Sequence, residues 1–174
     1  MYEIKIAELF AKYPHYFDVF SSCNTNFKLL EDSERTLGST NNNNLRRCNN
    51  CPKCAFVYAI LRPFVTKDQA KIIWGEELFE KKELLTTFKE LLGIEGIKPF
   101  ECVGTNEEVV LGLKKSMDLW NDTYHESLPI VLAMFAQEII PQMRNEAFAQ
   151  LEQTLMHVHH EDTIPALFTP LLSD

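Results

Sequence analysis

The sequence predicts a mainly helical domain, and three observations support this prediction. Apolar residues recur at intervals of three and four in several segments, which is the period of one helix face. Pro14, Pro63 and Gly93 follow three of these segments directly or closely, as residues at helix ends do. Cysteines cluster in the stretch RRCNNCPKC, residues 46–54, at a spacing typical of metal sites. We therefore predict a helical domain with a short extended segment and a zinc-stapled loop.

The first half of the chain contains three predicted helices. The first ends at Pro14, after apolar residues at helical spacing. The apolar stretch FDVF, residues 17–20, is interpreted as a strand. Residues 24–47 are polar and contain the tract NNNN, so we predict a partly disordered surface loop. The stretch KCAFVYAIL is predicted to be a buried helix stopped by Pro63, and a short helix follows over residues 67–74.

The middle of the chain contains two more helices around an extended segment. A helix with the apolar stripe of residues 84–92 ends at Gly93 as its C-cap. Residues 96–104, GIKPFECVG, are predicted to be extended. Thr105 and Glu108 match a capping box, in which each side chain bonds the other residue's backbone N–H. The face of the helix that they open carries Val109, Leu113, Met117 and Trp120.

Two further helices are predicted near the C-terminus. Ser127 starts the first, and Pro141 interrupts it and suits the first turn of the second. The second helix aligns Ala147, Leu151 and Leu155 at intervals of four. The tail from His157 onward is predicted to be loose. We interpret residues 1–125 as a zinc-containing part and residues 126–174 as a helical extension of the same domain.

Charge and hydropathy restrict the class of protein. The net charge of −8 argues against a nucleic-acid partner, because phosphate backbones reward clustered Lys and Arg. The N-terminus lacks the apolar core of a signal peptide. The sequence also lacks an apolar run of about 18 residues, so we expect no membrane span. The chain is therefore expected to be cytoplasmic, where its five cysteines are poor disulfide candidates.

The cysteines indicate a metal site. Cys48, Cys51 and Cys54 join two C-x-x-C turns, each of which can direct two thiolates at one zinc ion. Cys23 is the natural fourth ligand, because it ends an apolar segment before the polar loop, and His15 is the alternative. A four-thiolate zinc site is closed and structural. The other interpretations are an iron–sulfur cluster and unliganded cysteines.

A histidine cluster near the C-terminus offers a second metal interpretation. His157, His159 and His160 lie within the stretch HVHHED. Histidines in an acidic tail are more often solvated surface residues, so the solvated interpretation is preferred.

Four blocks of sequence carry a resemblance to a known family. They are SSCNTNF at 21–27, RRCNNCPKCAFVYAILRPF at 46–64, IIWGEELF at 72–79 and KPFECVGTNEE at 98–108. In order and approximate spacing, they resemble the C-terminal part of the UDP-N-acetylmuramoyl-L-alanyl-L-glutamate epimerases. That family tends to have glycine where this chain has Asn49, and asparagine tolerates the left-handed conformation.

The resemblance implies that the chain is the C-terminal part of an α/β nucleotide-binding enzyme of the ATP-pyrophosphatase type. The implied reaction uses ATP and magnesium to convert the terminal L-glutamate of a nucleotide-linked muramoyl dipeptide to D-glutamate in peptidoglycan synthesis, through an acyl-adenylate. The cysteine arrangement is also similar to that of 7-cyano-7-deazaguanine synthase. The six glycines form no phosphate-binding loop. We therefore expect the isolated chain to be inactive without an N-terminal nucleotide-binding domain or subunit.

The stretch KPFECVG supplies candidates for the implied chemistry. Epimerisation removes a proton from one face of a carbon and returns one to the other, so Glu101 and Cys102 are candidate proton-transfer residues. The alternative for Cys102 is a small buried side chain. Lys98 is a candidate contact for a phosphate or carboxylate, or a solvated lysine. Asn24 and Asn26 are candidate substrate contacts or turn residues.

A different class of function remains open from the sequence. A zinc-stapled helical module could bind a protein partner without catalysis. We also expect the apolar stretch SLPIVLAMFAQEII, residues 127–140, to bury surface against the missing domain or a second copy of the chain, because large exposed apolar patches rarely go unused.

Overall fold

The computed structural model describes residues 1–27, 47–100 and 102–158, together with 165, 167 and 170. This part of the chain is mainly helical and contains no β-strand. The α-helices are α1 (Glu3–Ala11), α2 (Asn24–Phe27), α3 (Pro52–Leu61), α4 (Lys67–Trp74), α5 (Leu85–Leu92), α6 (Asn106–Leu119), α7 (Ile130–Glu138) and α8 (Asn145–Leu155). Short 3-10 helices lie at Pro14–Tyr16, Arg62–Phe64, Leu78–Glu80, Lys82–Leu84 and Ile140–Gln142, and a π-helical turn at Trp120–Tyr124 follows α6.

Helix α3 is the centre of the fold. All of its residues from Cys54 to Leu61 are buried, and it contacts α1, α5 and α6. A helix that is apolar on every side belongs in a core, because no face of it gains from contact with water. The predicted buried helix before Pro63 is therefore confirmed.

Helices α3 and α6 meet at Gly112. A Cβ atom built on this glycine would lie 2.4 Å from the carbonyl oxygen of Ala59 and 2.9 Å from its carbonyl carbon. These are backbone atoms, so they cannot rotate away. Gly112 therefore allows the two helix backbones to touch.

The variant Gly112→Ala is expected to lower the free energy of unfolding by about 2 kcal/mol, because the added methyl group forces the two helices apart. In an open helix position, the same change raises stability by about 1 kcal/mol. The sign of the effect in urea denaturation therefore tests the close crossing. A stabilised variant would contradict it.

The predicted capping box at the start of α6 is present. The side chain of Thr105 accepts from the Glu108 N–H at 3.2 Å, and Glu108 Oε2 accepts from the Thr105 N–H at 2.8 Å. Glu108 is 2% exposed, and its Oε1 accepts from the Ile4 N–H at 3.1 Å. The same carboxylate therefore caps α6 and holds the start of α1. The predicted apolar face of α6 is buried at Val109, Leu113, Met117 and Trp120.

A polar cluster lies beside this core. Arg62 is 0% exposed, and its guanidinium lies 4.5 Å from the centre of the Trp120 ring. Its Nε donates to Glu77 Oε2 at 3.4 Å, and its Nη1 donates to the Val65 carbonyl at 3.0 Å. The Tyr58 hydroxyl donates to the other oxygen of Glu77. The Glu77 carboxylate therefore accepts hydrogen bonds from both buried side chains, Arg62 and Tyr58.

This cluster predicts a dependence of stability on alkaline pH. Burial, followed by the negative charge of Glu77, raises the pKa of Tyr58 well above its ordinary value. Because the pKa is raised in the folded state, the contribution of Tyr58 to the free energy of unfolding is fully present below the unfolded pKa of about 10. It is lost as pH rises above that value, by up to about 1.4 kcal/mol per pH unit. Urea denaturation at pH 9 and 11 should show a smaller loss for Tyr58→Phe than for the parent. Equal losses would refute the assignment.

The predicted strand at residues 17–20 is wrong. The Phe17 N–H donates to the Pro14 carbonyl at 3.1 Å, and the Phe20 N–H donates to the Tyr16 carbonyl at 2.9 Å, so the chain makes helical turns here. The rings of Phe17 and Phe20 both pack on Phe10, at 5.4 and 4.7 Å between centroids. A strand would place residues three apart on opposite faces, whereas these turns place both rings on one side.

The predicted start of a helix at Ser127 is also wrong. Helix α7 begins at Ile130, after Pro129, because a proline disfavours the helical conformation in the residue before it. The apolar face of α7 lies in this chain's own core, with Val131, Leu132 and Phe135 all 0% exposed. These three side chains are therefore not available for docking, and the expectation that the rest of this stretch buries surface against another domain or a second copy stays a prediction.

The C-terminal region joins the same core. Phe148 and Leu155 of α8 belong to the main apolar cluster, and α8 contacts α6. The division into residues 1–125 and 126–174 stays a prediction. Residues 28–46, 159 and 160 lie outside the described residues, and with them most of the predicted loop and two of the three clustered histidines. No helix in the described ranges is long and apolar enough to cross a membrane.

Candidate metal centre and neighbouring loop

Four thiols converge at the entrance to α3. The sulfur atoms of Cys23, Cys48, Cys51 and Cys54 lie within 4.8 Å of one another, and the Sγ atoms of Cys48 and Cys54 are 4.0 Å apart. A tetrahedral zinc site with bonds of about 2.3 Å needs sulfur atoms about 3.8 Å apart. A disulfide needs about 2.05 Å, and all four cysteines are free. The geometry therefore suits a shared metal ion, and His15 is not part of this cluster.

The backbone around the cysteines also suits thiolate ligands. Cys51 is the N-cap of α3, and its sulfur accepts from the Cys54 N–H at 3.4 Å. The sulfur of Cys23 accepts from the Cys48 N–H at 3.3 Å. Such donors favour the charged form of an acceptor. Pro52 occupies the first helical position, where its missing N–H costs nothing.

Asn49 shapes the loop between the first two cysteines of the triplet. Its φ of 50° confirms that asparagine adopts the left-handed conformation at this position. Its Nδ2 donates to the Trp74 carbonyl at 2.7 Å and to Glu76 Oε1 at 3.0 Å. Glycine would supply the conformation without these bonds, so Asn49 also ties the cysteine loop to the end of α4.

Arg47 holds the other side of the loop. Its guanidinium lies 4.6 Å from the centre of the Phe20 ring and 5.3 Å from that of Trp74, and it donates to the Phe20 carbonyl. A guanidinium is attracted to the negative face of an aromatic ring. Arg47 therefore connects the segment before Cys23 with the end of α4.

The electrostatics of the cluster depend on how the thiols share protons. Hydrogen bonding with Cys51, followed by that with Cys54, holds the pKa of Cys48 well below the usual value. Hydrogen bonding with Cys48 and Cys51, together with burial, raises the pKa of Cys54. The hydrogen bonds within the cluster thus stabilise one thiolate, that of Cys48. Ionising all four thiols requires a cation among them. Zinc is such a cation, because it binds thiolate ligands.

A second loop lies against this centre. Lys53, in the first turn of α3, donates to the Cys102 carbonyl at 2.5 Å and forms an ion pair with Glu3 at 3.5 Å. Lys98 donates to the Gly104 carbonyl. We call residues 97–100 and 102–104 the presenting loop. The sequence did not single out Lys53, although a lysine between two cysteines of the triplet was visible.

The presenting loop differs from the sequence prediction in two respects. Cys102 has a φ of 52°, so the predicted extended conformation is broken there. Its side chain is exposed, so the interpretation as a small buried side chain is wrong. Glu101 lies outside the described residues. The proton-transfer roles of Glu101 and Cys102 and the substrate role of Lys98 stay predictions.

The two asparagine candidates follow Cys23 directly. Asn24 begins α2 and is half-buried, whereas the side chain of Asn26 lies outside the described residues. The structure therefore places Asn24 beside a candidate metal ligand. Both substrate roles stay predictions.

Sequence comparison decides the family. Residues 19–150 match the family described as the MurL C-terminal domain. The chain belongs to this family. The matched range of the MurL C-terminal domain contains all four clustered cysteines and the presenting loop.

Three relatives carry the same name, UDP-N-acetyl-alpha-D-muramoyl-L-alanyl-L-glutamate epimerase. The protein from Micromonospora sp. is 40% identical over 134 residues, which are 76% of this chain and 26% of the relative. The one from Salinispora tropica is 38% identical over 134 residues, with the same shares. The one from Xanthomonas oryzae pv. oryzae is 33% identical over 165 residues, which are 94% of this chain and 33% of the relative.

This chain, with its MurL C-terminal domain, therefore spans between 26% and 33% of the length of these curated relatives. No solved structure matches the chain.

Proposed function

We propose that this chain is the zinc-stapled C-terminal part of an ATP-dependent epimerase. Its substrate is UDP-N-acetylmuramoyl-L-alanyl-L-glutamate, whose terminal L-glutamate it helps convert to D-glutamate for peptidoglycan synthesis in the cytoplasm. The observation that carries this proposal is the identity of 33% to 40% with proteins of that name. The chain spans a minor share of those relatives, and its sequence has no phosphate-binding loop. The nucleotide site therefore belongs to a companion domain or subunit of the ATP-pyrophosphatase type.

The reaction needs an acidic α-proton on the glutamate. A carboxylate beside the α-carbon opposes removal of that proton, because the product would carry two adjacent negative charges. Attack of the carboxylate on the α-phosphorus of ATP releases pyrophosphate and forms an acyl-adenylate, which removes the first charge. The α-proton then leaves from one face, and a proton returns to the other. Hydrolysis of the adenylate releases AMP and the free carboxylate.

The residues of this chain take supporting places in that scheme. Proton transfer on one face of the carbon is assigned to Glu101 or Cys102, since a carboxylate or a thiolate can act as acid or base. Lys98 and the amides of Asn24 and Asn26 hold anionic and polar groups of the substrate. The exposure of Cys102 supports this assignment, because a proton-transfer group must reach the substrate.

Zinc is the metal that we assign to the cysteines. Cys23, Cys48, Cys51 and Cys54 would hold the ion with four thiolates, which would close its coordination shell and leave it a structural role. These four residues would then fix the segment around Cys23 relative to the start of α3. Lys53 extends that fixed geometry to the presenting loop through the Cys102 carbonyl.

The proposal is tested with a chimaera that joins this chain to the rest of a relative. In the Xanthomonas relative, the region matched by this chain is replaced by the chain itself. With ATP, magnesium and the nucleotide-linked dipeptide, we expect solvent deuterium to enter the glutamate α-position, with AMP and pyrophosphate as products. Glu101→Gln should slow this exchange about 100-fold, whereas the exposed Glu80→Gln should not.

The isolated chain provides the negative control. It should show no exchange and no micromolar ATP binding by calorimetry, because it lacks the phosphate-binding loop. A folded chimaera without exchange would sink the epimerase proposal and leave the non-catalytic interaction module. Tight ATP binding by the isolated chain would place the nucleotide site here instead.

A further inference from the structure

The presenting loop exposes apolar side chains that the fold does not use. Ile97 is 88% exposed and Phe100 is 106% exposed. By contrast, Phe56, which lies next to Gly104 at the end of the loop, is 0% exposed. Neighbouring large apolar side chains that stand free in water mark a surface for another molecule more often than isolated ones do.

The exposure of the loop is not the result of fraying. Two lysine ammonium groups donate hydrogen bonds to its backbone. Lys53 donates to the Cys102 carbonyl at 2.5 Å, and Lys98 donates to the Gly104 carbonyl. A Cβ atom at Gly104 would lie 2.3 Å from Glu108 Oε2 and 2.5 Å from Phe56 Cζ, so the end of the loop packs tightly against the core. A loop fixed before binding loses less conformational entropy when it binds.

We propose that the presenting loop docks on the companion nucleotide-binding part, with Ile97 and Phe100 inserted into an apolar pocket of that part. This inference rests on the proposed function. The length of the relatives indicates the binding partner of the loop, because they contain about two to three times as much chain outside the matched region as within it. A second copy of this chain is disfavoured by charge, because each copy carries −8 and like charges repel.

The rim of the companion's pocket should be basic. The net charge of this chain is −8, and the side chain of Glu95, close to the loop, is 57% exposed. Complementary charge steers two surfaces together and fixes their orientation. Docking here would also bring Cys102 to the boundary between the two parts, where the proposed substrate would lie.

Cys102 provides a built-in reporter of docking. Its thiol is exposed in the isolated chain, so iodoacetamide should alkylate it readily. In the chimaera with the Xanthomonas relative, alkylation of Cys102 should slow about tenfold or more, because a docked loop reacts only when it opens. Mass spectrometry of the peptide separates this thiol from the four clustered ones.

Two variants test the cause of the protection. The double variant Ile97→Ser/Phe100→Ser in the chimaera should restore the rate of the isolated chain. The control Ile72→Ser alters an apolar residue of α4 that is 61% exposed and should leave the protection unchanged. Equal rates in the chimaera and the isolated chain would overturn the proposal. Slow alkylation of the isolated chain would also overturn it, since a second copy or the chain's own core would then cover the loop.

The same chimaera separates this inference from the proposed function. Deuterium exchange with an unprotected Cys102 would overturn docking and support the epimerase. A protected Cys102 without exchange would support docking and refute the epimerase.

Discussion

Replacing Cys51 by serine is expected to release the metal and to unfold much of the domain. The parent, purified without chelators, should contain about one zinc per chain, because the cluster offers one set of four thiolates. The serine oxygen is a poor zinc ligand, and metal affinity at such a site is part of the folding free energy. We expect the free energy of unfolding to fall by about 3 kcal/mol or more. Elemental analysis and urea denaturation measure the two effects.

Cys102→Ser is the matched control. It makes the same chemical change at an exposed cysteine outside the cluster, so its stability should stay within about 0.5 kcal/mol of the parent. If Cys51→Ser melts like Cys102→Ser, the site is not structural. Abundant iron with visible charge-transfer absorption would replace zinc by an iron–sulfur cluster.

Replacing Glu77 by glutamine is expected to be the second most damaging change. Glutamine keeps an acceptor for the Tyr58 hydroxyl but removes the counter-charge of Arg62, which is 0% exposed. Breaking one side of a buried ion pair leaves an uncompensated charge, which costs about 3 kcal/mol here. This value is at the low end of the usual range, because the Glu77 side chain is 26% exposed. Thermal and urea unfolding measure the loss.

Two further variants test whether the stranded charge is the cause. Glu80→Gln makes the same change on an exposed residue of the neighbouring turn and should cost less than about 0.5 kcal/mol. Adding Arg62→Met to Glu77→Gln removes the unpaired charge, so the double variant should be more stable than Glu77→Gln alone. A double variant that is weaker still would show that packing of the guanidinium on Trp120 matters more than its charge.

Local signals in the sequence predicted several helices well. The predicted helix over residues 67–74 matches α4, and Gly93 ends α5 with a φ of 72°. The mutual hydrogen bonds of Thr105 and Glu108 are also present. These features depend on residues a few positions apart, so neighbouring residue types are enough to predict them.

The failures have a different physical origin. The segment FDVF is apolar enough for a strand, but the position of Phe10 decides that it turns. Likewise, the Cys102 carbonyl is held by Lys53, which is 49 positions away in sequence. Periodicity reports which residues prefer to be buried. It does not report which distant side chain arrives to bury or hold them.

The cysteine cluster falls between these cases. The triplet spacing indicated a metal loop, and the structure places Cys23 with the triplet from 25 positions before Cys48. Cys23 was expected there because a closed zinc site needs four ligands, and the metal itself stays a prediction. Arg47 and Asn49 brace the loop against α4 through contacts with distant parts of the chain. No sequence rule comparable to the four-ligand requirement predicts such contacts.

The Glu108 carboxylate sets an order of events during synthesis on the ribosome. It holds the N–H of Ile4, a residue 104 positions earlier in the chain. At about 5–20 residues per second, the start of α1 waits about 5–20 s for this partner to be translated. The cysteine loop is complete once Cys54 has emerged. The nascent chain can therefore bring its four cysteines together first and lock its first helix only much later.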